Sequence, residues 1–121
     1  MSLNHQTYHA FAIQLEKFRS YANANVLSAP QLRQYTTSLQ QFFQQQIVPL
    51  EDTASPDMER EQSYRTEMSK QLRLLEIDVM FFQAARQAST AKVRIDAIID
   101  RLTTLINYCN AIIEPKGEEK K

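Results

Sequence analysis

Apolar residues recur along most of the chain in alternating steps of three and four, which places them on one face of a helix. Four segments show this pattern, separated by proline, serine and asparagine. The first covers residues 4–25, and the second runs from residue 29 to residue 47 or 48. The third covers residues 55–87, and the fourth runs from residue 89 or 90 to just before Pro115. The predicted core stripes begin with Tyr8, Phe11, Leu15, Phe18 and Ala22; continue with Leu32, Tyr35, Leu39, Phe42, Phe43 and Ile47; and close with Met68, Leu72, Leu75, Val79 and Phe82, then Ile95, Ile98, Leu102, Leu105, Cys109 and Ile112.

Residues suited to helix ends lie between these segments. Serine and threonine accept a hydrogen bond from an unpaired backbone N–H, and proline is tolerated in a first turn. Pro49 disfavours helical backbone at the residue before it and should end the second helix. The expected caps are Ser28, Ser55 and Ser89 or Thr90, and the expected first-turn prolines are Pro30 and Pro56.

The connections between the segments are short, so consecutive helices should pack antiparallel. The predicted fold is therefore all-α, an up-and-down antiparallel bundle of four helices in one domain over residues 1–115. The one internal loop of any length is predicted at residues 50–54. Residues 116–121 contain no apolar side chain and are expected to form a disordered tail. One glycine in 121 residues argues against the glycine-rich loops of nucleotide-binding folds and β-barrels.

The third helix differs from the others. Its predicted length is roughly 32 residues, or ~48 Å, against about 20 to 25 residues for its neighbours. Leu74, Ile77 and Phe81 add a second apolar line to its main stripe. Either this helix runs through the centre of the fold, which is the more common arrangement, or another protein covers one side of it. In the second case the covering protein is a different partner or a second copy of the chain.

Charge and composition narrow the function. Fourteen basic and fourteen acidic residues give a formal net charge of zero, so no overall field attracts nucleic acid or anionic lipid. The longest apolar run, residues 79–82, is far short of the ~20 residues of a membrane span, and the N-terminus lacks a signal-peptide pattern. We expect a cytoplasmic protein with no membrane span and no nucleic-acid ligand.

No set of residues predicts catalysis or cofactor binding. His5 and His9 lie four residues apart but lack the acidic residue of a helical zinc motif, so surface histidines are the ordinary interpretation. Cys109 lies in register with the core and is expected to act as a small apolar residue. We therefore expect no cofactor, no metal and no enzymatic activity.

One charge interrupts an apolar stretch of the third helix. If the third and fourth helices form a hairpin that turns near residues 88–89, Asp78 lies close to Asp100 and Arg101. An Asp78–Arg101 ion pair that fixes the register of the two helices is the resulting prediction. Breaking one side of a buried pair would cost ~3–5 kcal/mol.

Five glutamines crowd the solvent face of the second helix, namely Gln40, Gln41, Gln44, Gln45 and Gln46. Glutamine is a good helix former, so a neutral solvated face is the ordinary interpretation. A glutamine-based surface for a partner is the alternative.

Much of the chain from the second helix onward resembles a known family. The runs TEMSKQLRLL at 66–75, DVMF at 78–81 and QAARQ at 83–87 resemble the PatD family of small heterocyst-frequency control proteins from filamentous cyanobacteria. The run FFQQQI at 42–47, the region of Arg101, and Tyr108 with Cys109 fit the same family.

This resemblance implies a non-enzymatic regulator of heterocyst differentiation frequency that acts through protein–protein contact. The partner linked with such proteins is FtsZ, the tubulin-like cell-division GTPase. A partner surface is expected on the long third helix, although each residue there could equally be an ordinary surface or packing position. The candidate residues are Arg73, Glu76, Ile77, Arg86 and Gln87.

The alternative function is a transcription-associated DNA-binding helical protein. Lys70, Arg73, Arg86, Lys92 and Arg94 cluster loosely around the predicted hairpin. Acidic residues intervene among them, and neither a helix-turn-helix glycine nor interleaved aromatics accompany them. A partner protein is therefore the favoured interpretation.

Overall fold

The structure is a computed structural model that describes residues 3–24, 27–50 and 58–114. These residues form an all-α fold with four helices: α1 (Leu3–Ala22), α2 (Ala29–Phe42), α3 (Met58–Ala84) and α4 (Ala88–Ile113). Helix α2 continues directly into a π-helical turn, Phe43–Ile47. The all-α class and the number of helices agree with the prediction.

Consecutive helices run antiparallel. The rings of Phe18 and Tyr35 stack near one end of the α1–α2 pair, with centroids 4.9 Å apart. Those of Phe11 and Phe42 stack further along it, at 5.5 Å. Helix α4 closes the bundle by packing extensively on both α3 and α1. The predicted up-and-down arrangement is therefore confirmed.

The predicted stripes form a single core. Each of the five stripe residues of α1 is buried, and so are most of those on the other helices. Tyr35, Phe42, Phe82 and Ile95 are only partly buried and pack against the rim of the core. Thr36 also faces the interior, where its hydroxyl donates a hydrogen bond to the carbonyl oxygen of Leu32 at 2.8 Å.

The π-helical turn was not predicted. The amide N–H of Val48 donates to the carbonyl of Phe43 at 2.9 Å, a bond that spans five residues instead of four. Phe42 and Phe43 are adjacent in sequence, yet both rings pack against Phe11, at centroid distances of 5.5 and 6.2 Å. The wider turn lets two consecutive aromatic residues reach the same neighbour. Helical structure ends just before Pro49, as predicted.

The N-terminal cap of α2 agrees with the prediction, whereas that of α4 differs from it. The Ser28 hydroxyl accepts a hydrogen bond from the amide of Gln31 at 3.2 Å, as expected of a cap. Helix α4 begins at Ala88, so the prediction of Ser89 or Thr90 as its cap is wrong. Gln87 takes the cap position with an extended backbone and no capping bond from its side chain.

Two helix ends lie a turn earlier than predicted. Helix α1 ends at Ala22 and α3 at Ala84, because the chain turns there to begin the next connection. The predicted Ser55 cap, the 51–54 part of the predicted loop and the predicted tail lie outside the described residues.

Helix α3 does not run through the centre of the fold. It packs between α2 and α4, and its main stripe is buried. Its second apolar line is largely uncovered, since Ile77 is 39% and Phe81 49% exposed. Among the described residues α3 is the longest helix, with 27 residues against 26 for α4 and 20 for α1. The structure therefore excludes the first of the two arrangements that the sequence left open, a third helix at the centre of the fold.

Candidate functional site between helices α2 and α3

The predicted partner residues occupy two adjoining places. Arg73, Glu76 and Ile77 are exposed residues of α3, at spacings that put them on neighbouring positions of its outer surface. Arg86 and Gln87 are also exposed, but they lie in the turn between α3 and α4, beyond the end of α3. The structure thus groups the first three on one surface and places the last two past its end.

A groove between α2 and α3 contains two of these five residues. A cavity of about 270 Å³ opens where α2 becomes π-helical. A smaller cavity of about 110 Å³ lies further along the same pair of helices. Gln40 and Glu76 line both, so the two cavities adjoin along one groove between the helices. The remaining lining residues are Phe43, Gln44, Ser69, Leu72 and Arg73 in the first cavity and Arg33, Thr36, Thr37, Val79 and Met80 in the second.

Hydrogen bonds between side chains join the two walls of the groove. The Gln40 amide donates to the carboxylate of Glu76 at 3.2 Å. Further along, the Arg33 guanidinium donates to the Gln83 side-chain carbonyl at 2.7 Å. Both bonds are solvent-exposed, so an incoming polar group can replace them at small net cost. Exchangeable polar contacts therefore bridge the two walls at the solvent-exposed side of the groove.

The Arg73 guanidinium has no ion-pair or hydrogen-bond partner among the residues that the structure describes. It lines the larger cavity beside Ser69 and Glu76, with Gln44 on the facing wall. A guanidinium presents five N–H donors in a planar fork that suits carboxylate groups. This site can therefore bind an acidic or amide-bearing side chain, while Phe43 and Leu72 supply apolar contact at its base.

Asp78 forms an ion-pair network on the opposite side of α3. Its carboxylate is 3% exposed and accepts a hydrogen bond from Arg101 Nε at 2.9 Å. The hairpin register of the sequence placed these two residues together. A third member, Arg94, donates to the other carboxylate oxygen at 3.4 Å. Two arginines thus neutralise one buried carboxylate between α3 and α4.

The contact of Arg94 with Asp78 was not predicted from the sequence, where Arg94 was grouped with a loose cluster of basic residues. Its guanidinium also lies over the Phe81 ring, 4.5 Å from the centroid. The signal that could have found it is spacing, since Arg94 and Arg101 lie seven residues apart on one side of α4. The groove residues Gln40 and Gln44 belong to the glutamine face for which a partner surface was the alternative interpretation.

Two titratable side chains of the core, Cys109 and Tyr8, are buried away from solvent. Burial raises the pKa of the Cys109 thiol to about 12, which disfavours a reactive thiolate. Burial, followed by the charge of Glu61, raises the pKa of the Tyr8 hydroxyl, which donates to the Glu61 carboxylate at 3.0 Å. Within the described residues, no group of three or more His, Cys, Asp or Glu side chains could hold a metal ion.

Comparison with known proteins finds no matching family model, no similar curated protein and no similar solved structure. In the three described stretches of the chain, no helix combines the length and apolar character needed to cross a bilayer.

Proposed function

We propose that this protein is a non-enzymatic regulator that binds another protein through the groove between α2 and α3. The observation that carries the proposal is the groove itself, in which the unpaired Arg73 lies beside the π-helical turn. π-Helical turns occur frequently at functional sites. Polar groups that surround a small apolar base are typical of a surface that recognises a peptide or a protein edge.

The charges along α3 and α4 favour a protein partner over DNA. Lys92 pairs with Asp96 at 3.2 Å, and Lys70 pairs with Glu67 at 3.5 Å. Arg94 is held by Asp78. These pairs reduce the positive field that phosphate groups would need, so the basic cluster of the sequence offers few free cations.

The resemblance to PatD proteins supplies the biological part of the proposal. We propose that the chain limits heterocyst differentiation in a cyanobacterial cytoplasm by contact with FtsZ. An exposed helical groove that presents the unpaired guanidinium of Arg73 suits a modulator of another protein's assembly. The groove is compatible with either activation or inhibition of that assembly.

Co-sedimentation with FtsZ polymerising in GTP tests the proposal. We expect dose-dependent pelleting of the wild-type protein or a change in polymer mass. The Arg73→Ala/Arg86→Ala double variant should lose most of this effect. Both guanidinium groups are exposed and contribute little to folding, so this loss would reflect weaker binding and not unfolding.

Lys17→Ala provides the matched control, since Lys17 is an exposed basic residue on α1, away from the groove. It should pellet like the wild type. No pelleting of folded wild-type protein, with no change in polymer mass, would remove FtsZ as the partner. Full activity of the double variant would remove Arg73 and Arg86 from the binding surface.

A further inference from the structure

Exposed large apolar residues concentrate on one face of the bundle. Among the described residues six such side chains are exposed, and four of them lie on the outer side of α3 and α4. Ile77, Met80 and Phe81 come from α3, with exposed fractions of 39%, 59% and 49%, and Val93 comes from α4 with 61%. A concentrated apolar patch on a small helical protein marks an interaction surface. We call these four residues the α3–α4 patch.

Unpaired charges of opposite sign accompany the patch on the two helices. Arg73 on α3 and Asp100 on α4 are both exposed, and neither has an ion-pair partner among the described residues. One helix therefore carries a free cation and the other a free anion. A surface of this kind is complementary to a second copy of itself.

The register of α3 and α4 puts these groups at matching heights. Arg94 lies over the Phe81 ring, so its neighbour Val93 is level with Phe81. Arg101 bonds Asp78, which places the adjacent Asp100 within about one helical turn of the level of Arg73. The apolar pair and the charged pair thus occur at two separate heights along the same helix pair.

We propose that the α3–α4 patch is the contact surface of a symmetric homodimer. A twofold axis parallel to α3 and α4, running outside the molecule over the patch and midway between the two helices, lays α3 of one copy over α4 of the other. Phe81 then meets Val93 of the second copy, and Arg73 meets the second copy's Asp100. Each contact occurs twice, as a twofold interface requires.

The size of the patch sets the strength of the dimer. Two adjacent helices over about 25 Å of their length present roughly 500 Å² per copy. The total of about 1,000 Å² falls in the range of weak, transient complexes. The dimer should therefore form reversibly, with a dissociation constant on the order of 10–100 μM. This inference goes beyond the proposed function, because Ile77, Phe81 and Val93 lie outside the groove between α2 and α3, whereas Met80 and Arg73 also line that groove.

Sedimentation equilibrium of the full chain from about 5 to 500 μM tests the proposal, a range that brackets the expected dissociation constant. The apparent mass should rise from 14.1 kDa toward twice that value. Ile77→Asp should raise the dissociation constant at least ~10-fold, because it buries a carboxylate in the apolar contact. Ile13→Asp is the matched control, since Ile13 is 43% exposed on α1, outside the patch, and it should dimerise like the wild type.

Charge reversal tests the orientation of the two copies. Arg73→Glu and Asp100→Arg should each weaken the dimer about 3-fold or more, and the double variant should recover most of the loss, as expected for a directly coupled pair. A chain that stays monomeric to 500 μM would overturn the proposal. So would a dimer that Ile77→Asp leaves intact or that Ile13→Asp disrupts equally. A double variant with no recovery would overturn this arrangement of the helices.

Discussion

The inner and outer sides of α3 use similar residues for different purposes. On the inner side, apolar residues such as Leu75 are fully buried, and the buried carboxylate of Asp78 is neutralised by two arginines. On the outer side, Ile77 stays exposed and Arg73 stays unpaired. Stability therefore resides on the inner side, whereas the outer side is available for binding. Substitutions on the two sides should separate these roles.

The largest expected difference lies between Leu75 and Ile77. Leu75→Ala should reduce the free energy of unfolding by about 2–5 kcal/mol, because it leaves a cavity in the core. Ile77→Ala should reduce it by less than about 1 kcal/mol, since the side chain is already 39% exposed. Urea unfolding at low protein concentration measures both. Equal losses would contradict the division of α3 into two sides.

Removal of the Asp78 charge should have the next largest effect. Asp78→Asn leaves two arginines without their anion and should cost about 1–3 kcal/mol in unfolding free energy. This cost lies below the ~3–5 kcal/mol given for fully buried pairs, because the side chains of Arg94 and Arg101 are 35% and 31% exposed. Arg101→Gln should cost more than Arg94→Gln, because its bond to Asp78 is shorter, at 2.9 against 3.4 Å. An unchanged urea midpoint for Asp78→Asn would show that the network contributes nothing.

Alkaline pH should weaken the core through the buried thiol. Burial raises the folded-state pKa of Cys109 to about 12 from its ordinary value of 9.0, so the unfolded chain releases its proton first. The contribution is complete below pH 9 and is lost as the pH rises toward 12. The free energy of unfolding should fall by about 1 kcal/mol between pH 9 and 10. Cys109→Ala should flatten this slope, and Tyr8→Phe should flatten the slope that remains above pH 10. A slope identical in wild type and Cys109→Ala would refute the assignment.

The smallest effect on stability is expected at Arg73. Arg73→Ala should change the free energy of unfolding by about 0.5 kcal/mol or less, because its guanidinium has no partner in the described part of the chain. Its effect on binding should be far larger. Thermal unfolding measures the effect on stability, and FtsZ co-sedimentation of the same preparation measures the effect on binding. A strong loss of stability would make Arg73 a structural residue.

The sequence predicted the inner side of α3 far better than the outer side. Burial imposes a helical period, so Met68, Leu72, Leu75 and Val79 could be identified from spacing alone. The Asp78–Arg101 contact followed from counting outward from the hairpin turn. The same counting did not exclude a central α3, because a second apolar line has the same pattern whether a neighbouring helix covers it or solvent does.

The groove could not be predicted for a different reason. It depends on the π-helical turn at Phe43–Ile47, which arises from packing of two consecutive phenylalanines against α1. A π-helical turn adds one residue to a single helical turn and leaves the spacing of apolar residues before and after it nearly unchanged. The apolar pattern of α2 therefore does not reveal the turn. The cap of α4 could not be predicted either. Gln87 takes the cap position with an extended backbone and makes no side-chain capping bond, so its residue type gives no signal.

Backbone amide chemical shifts of ¹⁵N-labelled protein, recorded while FtsZ is added, test the central claim most directly. The claim is that a protein partner occupies the groove between α2 and α3. Shift changes or selective broadening should concentrate at Gln40, Gln44, Ser69, Arg73 and Glu76, which line the larger cavity. The outer surface of α1 around Lys17 should remain unchanged. Changes confined to α1, or a spectrum that FtsZ leaves unaltered, would contradict the claim.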